Sequence, residues 1–583
     1  MARTGPTRIV ILGGGFGGVY TALTLEKLLR RELDRGEVEL GLISRDNYIV
    51  FQPMLPEVIS GSIGIVDTIT PIRRLCPRTN LYTRTIESID LKRRRVTAAT
   101  GFGSQQLHLE YDHLVIALGN VTSFAGQPGL AEHALPFKYL GDALALRNHA
   151  IHVLEEADIE RDPEMRRCLL TFVVAGGGFS GVEAVAELND FVRAAAKSFR
   201  NIKPEEIRVV LLHAGGLILP ELPESLAGFA QRLLMKRGVE IRLNTRLGGA
   251  TGDAALLDGG ERIATRTLVS TVPSGPNPLV AMLPSRKERG RLVTDAHLGV
   301  AECPGVWAVG DCALIIDGQT GQPSPPTAQH AIREARCVAD NIAADLRGTP
   351  KRTFAFKALG KMGSLGHRSA VAEVFGVKLS GFLAWFLWRT IYLMKLPGLD
   401  RKIRVAVDWT LDFLLPADIS QLRTERSFGI RREHFEPGEV IFQEGGHGDW
   451  LYIIVDGEVD VLKQVPGQGE VSLRRLMPGQ CFGEIALLGD HVRTATTKSV
   501  TAVNLLAVDR DAFQALFSTL PPLREFFERL IEERMAPRSP SGDEPADDRR
   551  ASATSLVWVA PAGASRSRTP CCSGRRSGRR ESR

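Results

Sequence analysis

The sequence predicts an α/β protein: two doubly wound parallel-sheet units, then a short apolar helical segment, a small β-barrel and a disordered tail. Three observations predict it. A glycine-rich turn occurs twice, at Arg8-Ile-Val-Ile-Leu-Gly13-Gly-Gly15-Phe16-Gly-Gly18 and at Leu170-Thr-Phe-Val-Val-Ala-Gly176-Gly-Gly178-Phe-Ser-Gly181. From about residue 425 the pattern changes to short alternating runs broken by Pro437-Gly438, Asp456-Gly457 and Pro478-Gly479, as expected of antiparallel strands joined by turns. Residues 536–583 are rich in Pro, Ser, Gly and Arg and poor in apolar side chains, so they have little with which to build a core.

Each glycine turn follows a short β-branched run and opens an amphipathic stretch. This is the strand-turn-helix of a Rossmann-like dinucleotide-binding unit. The first glycine permits the tight turn, the second lets the backbone approach a pyrophosphate, and the third lets the helix pack on the sheet. The helix N-terminus then faces the anion. Two such turns in one chain imply two dinucleotides, and the pair that fits is a flavin and a nicotinamide. Between the turns, Tyr111-Asp-His-Leu-Val-Ile-Ala-Leu-Gly119 reads as a buried strand ending at a glycine. After the second unit, Gly305-Val-Trp-Ala-Val-Gly310-Asp311-Cys312 is another strand, ending in Gly-Asp, and a long amphipathic helix begins near Ala328.

Composition narrows the class. A chain of 583 residues has room for about three to four domains. Its 44% hydrophobic and 24% charged content is ordinary for a globular protein, and a net charge of +6 does not by itself point to nucleic acid. Eight cysteines without a C-x-x-C suggest neither a disulfide framework nor a metal site. The first strand begins near Arg8, leaving no room for a signal peptide, so the protein is expected to face the cytoplasm.

The order of these pieces, with one nucleotide unit inserted into another, resembles the two-dinucleotide flavoprotein disulfide-reductase superfamily. Further motifs occur in family order: Asn47-Tyr-Ile-Val-Phe-Gln52-Pro53-Met-Leu-Pro56-Glu57, Gly176-Gly-Gly-Phe-Ser-Gly-Val-Glu183, Ala328-Gln329-His-Ala331, and Gly381-Phe-Leu-Ala-Trp385-Phe-Leu-Trp388-Arg389. Together they resemble the type II NADH dehydrogenases, which are non-proton-pumping NADH:quinone oxidoreductases, over roughly residues 7 to 418. The resemblance implies FAD as cofactor, with NADH and a membrane quinone as substrates. It assigns residues 1–125 and 276–360 to an FAD-binding domain, 126–275 to an NAD(P)H-binding domain and 361–418 to a membrane anchor.

On that reading Gly13, Gly15, Phe16, Gly18, Ser44, Gly119 and Asp311 surround the FAD. Ser44 stands where an acid usually meets the adenosine ribose, and Asp46 is the alternative. Gly176, Gly178 and Gly181 would hold the nicotinamide dinucleotide. There too the acid position is taken, by His213, which leaves NAD against NADP open. The resemblance places Glu183 near nicotinamide and flavin, with a part in substrate binding and proton handling. It places Gln329 at the quinone end of the flavin, while Glu187 is expected to be an ordinary exposed residue. The apolar run Gly381–Met394 is 14 residues long, too short for the ~20 a spanning helix needs. With Trp385, Trp388 and Tyr392 as interfacial aromatics and Lys378, Lys395, Arg401, Lys402 and Arg404 as basic flanks, it reads as an anchor lying in the lipid interface of the membrane's cytoplasmic face.

Residues 419–535 contain Phe482-Gly483-Glu484-Ile-Ala-Leu-Leu-Gly-Asp-His-Val-Arg493-Thr494-Ala-Thr496. This is similar to the phosphate-binding cassette of cyclic-nucleotide-binding domains. Arg493 would pair with the cyclic phosphate, Gly483 admit it, Glu484 accept from the ribose hydroxyl, and Thr494 touch phosphate or base; cAMP and cGMP both remain candidates. A helix over Asp511 to Met535 would close on the ligand. No recognition helix can be placed beyond it, so nucleic acid is not an expected partner; a homodimer is open. Two other readings stand beside the enzyme: a sulfide:quinone oxidoreductase, which needs a cysteine pair such as Cys168 and Cys312 would have to supply, and a non-catalytic cyclic-nucleotide-responsive membrane scaffold.

Overall fold

The structure is a computed structural model. It describes residues 5–99, 106–124, 126–271, 275–357, 359–412, 415, 418–422, 430–446, 448–465, 469–488, 492–510, 512–513, 527 and 529–530. The chain divides into two compact units, residues 1–424 and 425–583. The proposed disordered tail, and nearly all of the helix expected over 511–535, lie outside the described residues.

Each glycine turn emerges from the central strand of a five-stranded parallel sheet. In the first sheet the order is Val306–Ala308, His113–Ile116, Thr7–Leu12, Val38–Ser44, Asn80–Thr83. In the second it is Leu135–Pro136, Thr267–Ser270, Thr171–Ala175, Arg208–Leu212, Val239–Arg242. Helices cover both faces of such a sheet, so its strands have no solvent side. The sequence meets this demand: Ile9 to Leu12 and all of Thr171–Ala175 are buried, with no polar-apolar alternation. The late strand Val306–Ala308 pairs with His113–Ile116, so residues almost two hundred positions apart complete one sheet around the inserted second unit.

The helix after the first turn, Phe16–Leu28, buries Val19, Ala22 and Leu25 and packs on the long helix Ala328–Arg347. Thr327 caps that long helix, its side chain accepting from His330 N, and Gly348, at φ +64°, ends it. A three-stranded antiparallel meander, Gly360–Ser364, Ala370–Val374 and Val377–Gly381, leads into two further helices, Phe382–Lys395 and Leu399–Leu411.

The second unit consists of two four-stranded antiparallel sheets. One orders Ile430–Phe435, Val503–Asp509, Trp450–Asp456 and Cys481–Phe482; the other orders Val440–Phe442, Thr496–Ser499, Val459–Val465 and Gly469–Leu476. Tyr452, Ile454, Val459, Leu476, Phe482, Val503 and Leu505 form the core between them.

Candidate functional site

The two glycine turns have nearly the same geometry. At the first, Gly13 has φ +109°, and a Cβ added to Gly18 would lie 1.9 Å from the Gly13 carbonyl oxygen. At the second, Gly176 has φ +121°, and a Cβ on Gly181 would lie 1.8 Å from the Gly176 oxygen. The first and third glycines are therefore required by the protein itself. The middle glycines differ. A Cβ on Gly15 would meet nothing within 4 Å, and one on Gly178 only the Glu221 carboxylate at 3.6 Å. Both positions face open space. Gly15 and Gly178 are also the N-caps of their helices, where no side chain satisfies the first N–H groups and no acid stands in the first turn. Such a helix start can receive an anion.

A cavity of about 580 Å³ opens at the first turn. Gly13, Gly15, Phe16, Ser44, Gly119 and Asp311 all line it, and so does Asp46, the alternative to Ser44. Gly18 is not on the wall; it sets the helix against the strand. Asp311 stands in the turn Gly310–Cys312, where burial pushes its carboxyl up against the opposing charge of Lys138. Lys138 also lines the cavity and donates to the Asn120 carbonyl at 2.7 Å. Beneath the turn, buried Glu334 accepts from Gly310 N at 2.8 Å, and burial pushes it up to about 7. Neither Lys138 nor Glu334 was singled out from the sequence. Glu334 left a signal: it sits three residues after Ala331 and four before Val338, a charge on the buried stripe of its helix.

At the second turn His213 follows the strand Arg208–Leu212, and its Nδ1 accepts from Gly177 N at 3.2 Å. Glu183 lies just past the first helical turn, not in it, and accepts from Ser364 N at 2.9 Å. Burial first, and then the charge of Glu57, pushes it up to about 8. Glu187 is not the exposed residue the sequence suggested. It is 7% exposed, because it falls on the same stripe as Ala184, Leu188 and Phe191. Gln329 stands at the start of its helix with its amide engaged by backbone: Oε1 accepts from Leu359 N at 3.0 Å and Nε2 points to the Gly360 oxygen at 3.4 Å.

The segment read as an anchor has its aromatics turned the other way. Trp385 and Trp388 are buried, not interfacial, and Tyr392 packs on Phe51 and Trp388. Trp388 packs edge-on against Tyr392, and Trp385 packs against Arg389. Arg389 stacks over Trp385 and Trp409 at 4.3 and 4.5 Å and pairs with buried Glu57 at 3.3 Å. Trp409 donates to the other Glu57 oxygen at 3.0 Å. The outward side of the two helices is apolar instead: Leu383, Phe386, Met394, Leu399, Ile403 and Val407 are each at least half exposed. Among the described residues no helix is long and apolar enough to cross a membrane.

In the second unit Gly483, at φ +90°, precedes the short helix Glu484–Leu488, and Glu484 is buried. Arg493 is buried too. Its guanidinium donates to the Gly483 and Trp450 carbonyls at 2.9 Å each and lies 3.9 Å from the centre of the Phe442 ring. Burial lowers it to about 10. Thr494 is exposed, and its carbonyl accepts from Lys463.

Comparison with known proteins gives this geometry a family. Residues 7–335 match the pyridine nucleotide-disulphide oxidoreductases, 359–416 the NDH2 C-terminal domain and 432–519 the cyclic nucleotide-binding domain. A type II NADH:quinone oxidoreductase of Mycobacterium tuberculosis is 32% identical over 423 residues, covering 70% of this chain and 88% of that protein. A probable NADH dehydrogenase of Dictyostelium discoideum is 30% identical over 421 residues, covering 71% and 91%. The fold is that of NDH2 from Plasmodium falciparum, with a TM-score of 0.65 at 18% identity over 71% of this chain and 99% of that one. The paired turns thus belong to a redox enzyme: this chain is a member of the type II NADH:quinone oxidoreductases, within the pyridine nucleotide-disulphide oxidoreductase family, and it carries a C-terminal cyclic nucleotide-binding domain.

Proposed function

We propose that the cavity at the first turn holds FAD, that the second turn holds NADH, and that the electrons pass on to a quinone drawn from a membrane. The observation that carries this is the open space at Gly15, beside an uncapped helix start and six of the residues expected around a flavin. Bound there, the flavin supplies a two-electron carrier between hydride donor and quinone. The chain supplies position and charge. Gly13, Gly15 and the N–H groups after Phe16 take the pyrophosphate, Ser44 or Asp46 the adenosine ribose, and Gly119 and Asp311 the ribityl and phosphate end. Gly176, Gly178 and Gly181 take the nicotinamide dinucleotide, with His213 beside its ribose. Gln329 holds the start of its helix to the strand Gly360–Ser364, and so shapes the quinone end.

The apolar face of Phe382–Lys395 and Leu399–Leu411 supports seating on lipid without spanning it, on the cytoplasmic side, where a lipophilic quinone is reached directly. The C-terminal domain supports regulation by cAMP or cGMP, with Arg493 exchanging its carbonyl partners for the cyclic phosphate. Sulfide chemistry fits less well. The Cys312 thiol points at the Ile116 and Val309 carbonyls and is pushed up to about 11 by burial, while the Cys168 thiol contacts the Asp253 carbonyl elsewhere. The test is turnover of purified protein with NADH, NADPH or sulfide against a soluble quinone analogue. NADH-dependent reduction is expected, and sulfide-dependent reduction alone would replace this reading.

A further inference from the structure

The chain beyond the helix Leu399–Leu411 is fastened back onto the first unit by two neighbouring side chains. Arg147 and Asn148 stand together on the helix Leu140–Ile159, and both hold backbone groups of residues 418–422, which belong to the same unit.

Asn148 makes a two-way clamp. Its amide nitrogen donates to the Leu422 carbonyl at 2.7 Å, and its Oδ1 accepts from Leu422 N at 3.0 Å. One side chain thus satisfies both backbone groups of one residue, as an antiparallel neighbour would. Between the two attachments Asp418 Oδ1 accepts from Ser420 N at 2.8 Å, and Ile419 packs against the hydrophobic core to which Leu146 and Phe191 belong.

Arg147 is 5% exposed, a rare place for a cation. Its guanidinium donates to the Asp418 carbonyl and, at 3.2 Å, to the Ile59 carbonyl, and it lies 4.8 Å from the centre of the Phe191 ring. Gly61, which ends the helix Leu55–Ser60 at φ +78°, leaves the room it fills: a Cβ there would lie 2.9 Å from Arg147 Nη1. Burial pushes the guanidinium down, and the Asp418 charge offsets part of that. A buried charge that loses a partner keeps its desolvation cost. Release of residues 418–422 therefore takes away one of two carbonyls that solvate this cation and leaves more of the task to Ile59.

Both helices that meet at Arg147 start beside the cofactor cavity. Leu140–Ile159 follows Lys138 and Tyr139, and Leu55–Ser60 follows Gln52; all three of these residues line the cavity. Glu57, on the shorter helix, holds Arg389 and Trp409.

We propose that residues 418–422 form a docking strap through which nucleotide occupancy of the C-terminal domain biases the cofactor cavity, with Arg147 and Asn148 as the groups that receive it. This builds on the regulation by cAMP or cGMP proposed above and names the element that carries it. The covalent path from the first unit to residues 425–583 runs through the strap. Its polar fastening is two hydrogen bonds with Asn148 and one with Arg147, each of modest net strength, so it can open without unfolding the unit. A nucleotide that prefers one state of the strap shifts the docked fraction, and by linkage docking shifts nucleotide affinity by the same factor.

The experiment uses the full-length flavin-loaded enzyme, as wild type, Asn148→Ala and Arg147→Met, with cAMP and cGMP as probes. Asn148 is only half-buried, so its alanine variant keeps the test alive if the loss of buried Arg147 unfolds the protein. Hydrogen exchange across residues 418–422, nucleotide affinity by calorimetry and NADH:quinone turnover are measured together. In the wild type, nucleotide should change exchange at Leu422 N, whose acceptor is Asn148 Oδ1. Asn148→Ala should exchange fast with or without nucleotide and lose the response of turnover to it. Its nucleotide affinity should shift at least about fivefold, the low end of coupling between sites, and Arg147→Met should shift it with the same sign. Reciprocity fixes that sign: if nucleotide loosens the strap, the variants bind it more tightly, and if nucleotide tightens the strap, more weakly. Unchanged exchange at Leu422 in the wild type, an Asn148→Ala enzyme with wild-type affinity and response, or a shift of the opposite sign would overturn the strap while regulation stands. A wild-type enzyme that binds neither nucleotide, or binds one with turnover unchanged, would overturn the regulatory reading and the strap with it.

Discussion

An imagined Cβ separates two kinds of glycine in the same motif. At Gly18 it would strike the Gly13 carbonyl at 1.9 Å; at Gly15 it would enter empty space. The first is a demand of the fold; the second is not, and in the reading proposed above it comes from the flavin. Gly18→Ala should therefore destabilise the protein by about 1–3 kcal/mol or more, as overpacking does, whether or not flavin is present. Gly15→Val should leave the melting temperature of flavin-free protein nearly unchanged and abolish flavin binding, because the branched side chain would take the pyrophosphate's place. Flavin absorbance per chain, with thermal melts of stripped protein, checks both. Gly178→Val should spare the flavin and raise the NADH concentration needed to reduce it. Both turns were legible because the demand is steric and local. Glu187 was legible in principle, from Ala184, Leu188 and Phe191 around it. Glu57 was not: its partners Arg389 and Trp409 lie more than three hundred residues away, and no spacing rule joins them.

At the scale of elements, the helices Phe382–Lys395 and Leu399–Leu411 show how an apolar run can be legible while its direction is not. The sequence reading found an apolar run with tryptophans and gave the tryptophans to the lipid. The fold buries them, Trp385 against Arg389 and Trp388 against Tyr392, and leaves Leu383, Phe386, Ile403 and Val407 outside. Replacing those four by serine should release the enzyme from lipid vesicles, as read by co-sedimentation, while its melting temperature holds, since none is buried. The helix Phe179–Ala196 carries a second consequence. Glu183 and Glu187 hold protons in the folded state that the unfolded chain has already released above the ordinary carboxylate range. The folded state thus binds more protons, so stability falls as pH rises from that range to about 8. Glu206, held down to about 2 by Arg166, acts in the opposite sense below that range, and His113, His149 and His330, whose imidazoles burial pushes down, act in the opposite sense up to about pH 6.5. Melting temperatures measured from about pH 6.5, above the histidines' range, to pH 8 should decline, and Glu187→Gln should flatten the decline.

At the scale of the whole molecule, one chain joins a type II NADH:quinone oxidoreductase to a cyclic nucleotide-binding domain. A nucleotide changes activity only if it prefers one of two arrangements of the chain, and a few-fold effect corresponds to about 1 kcal/mol of coupling. Arg493 rests on the Gly483 and Trp450 carbonyls, and in the reading proposed above a bound phosphate would draw it off them. Calorimetry with cAMP and cGMP should show binding that Arg493→Ala abolishes with flavin content unchanged, and saturating nucleotide should alter quinone turnover. The sequence announced this domain through one cassette, but not the inward resting place of its arginine, which depends on Phe442 and Trp450 from distant strands. In the proposed reading a single flavin couples the two glycine turns to quinone. An anaerobic absorption titration of the purified full-length protein tests it most directly. One flavin per chain should bleach with one equivalent of NADH and recover its oxidised spectrum on adding one equivalent of quinone. A protein that carries no flavin, or whose flavin is bleached by neither NADH nor NADPH, would contradict it.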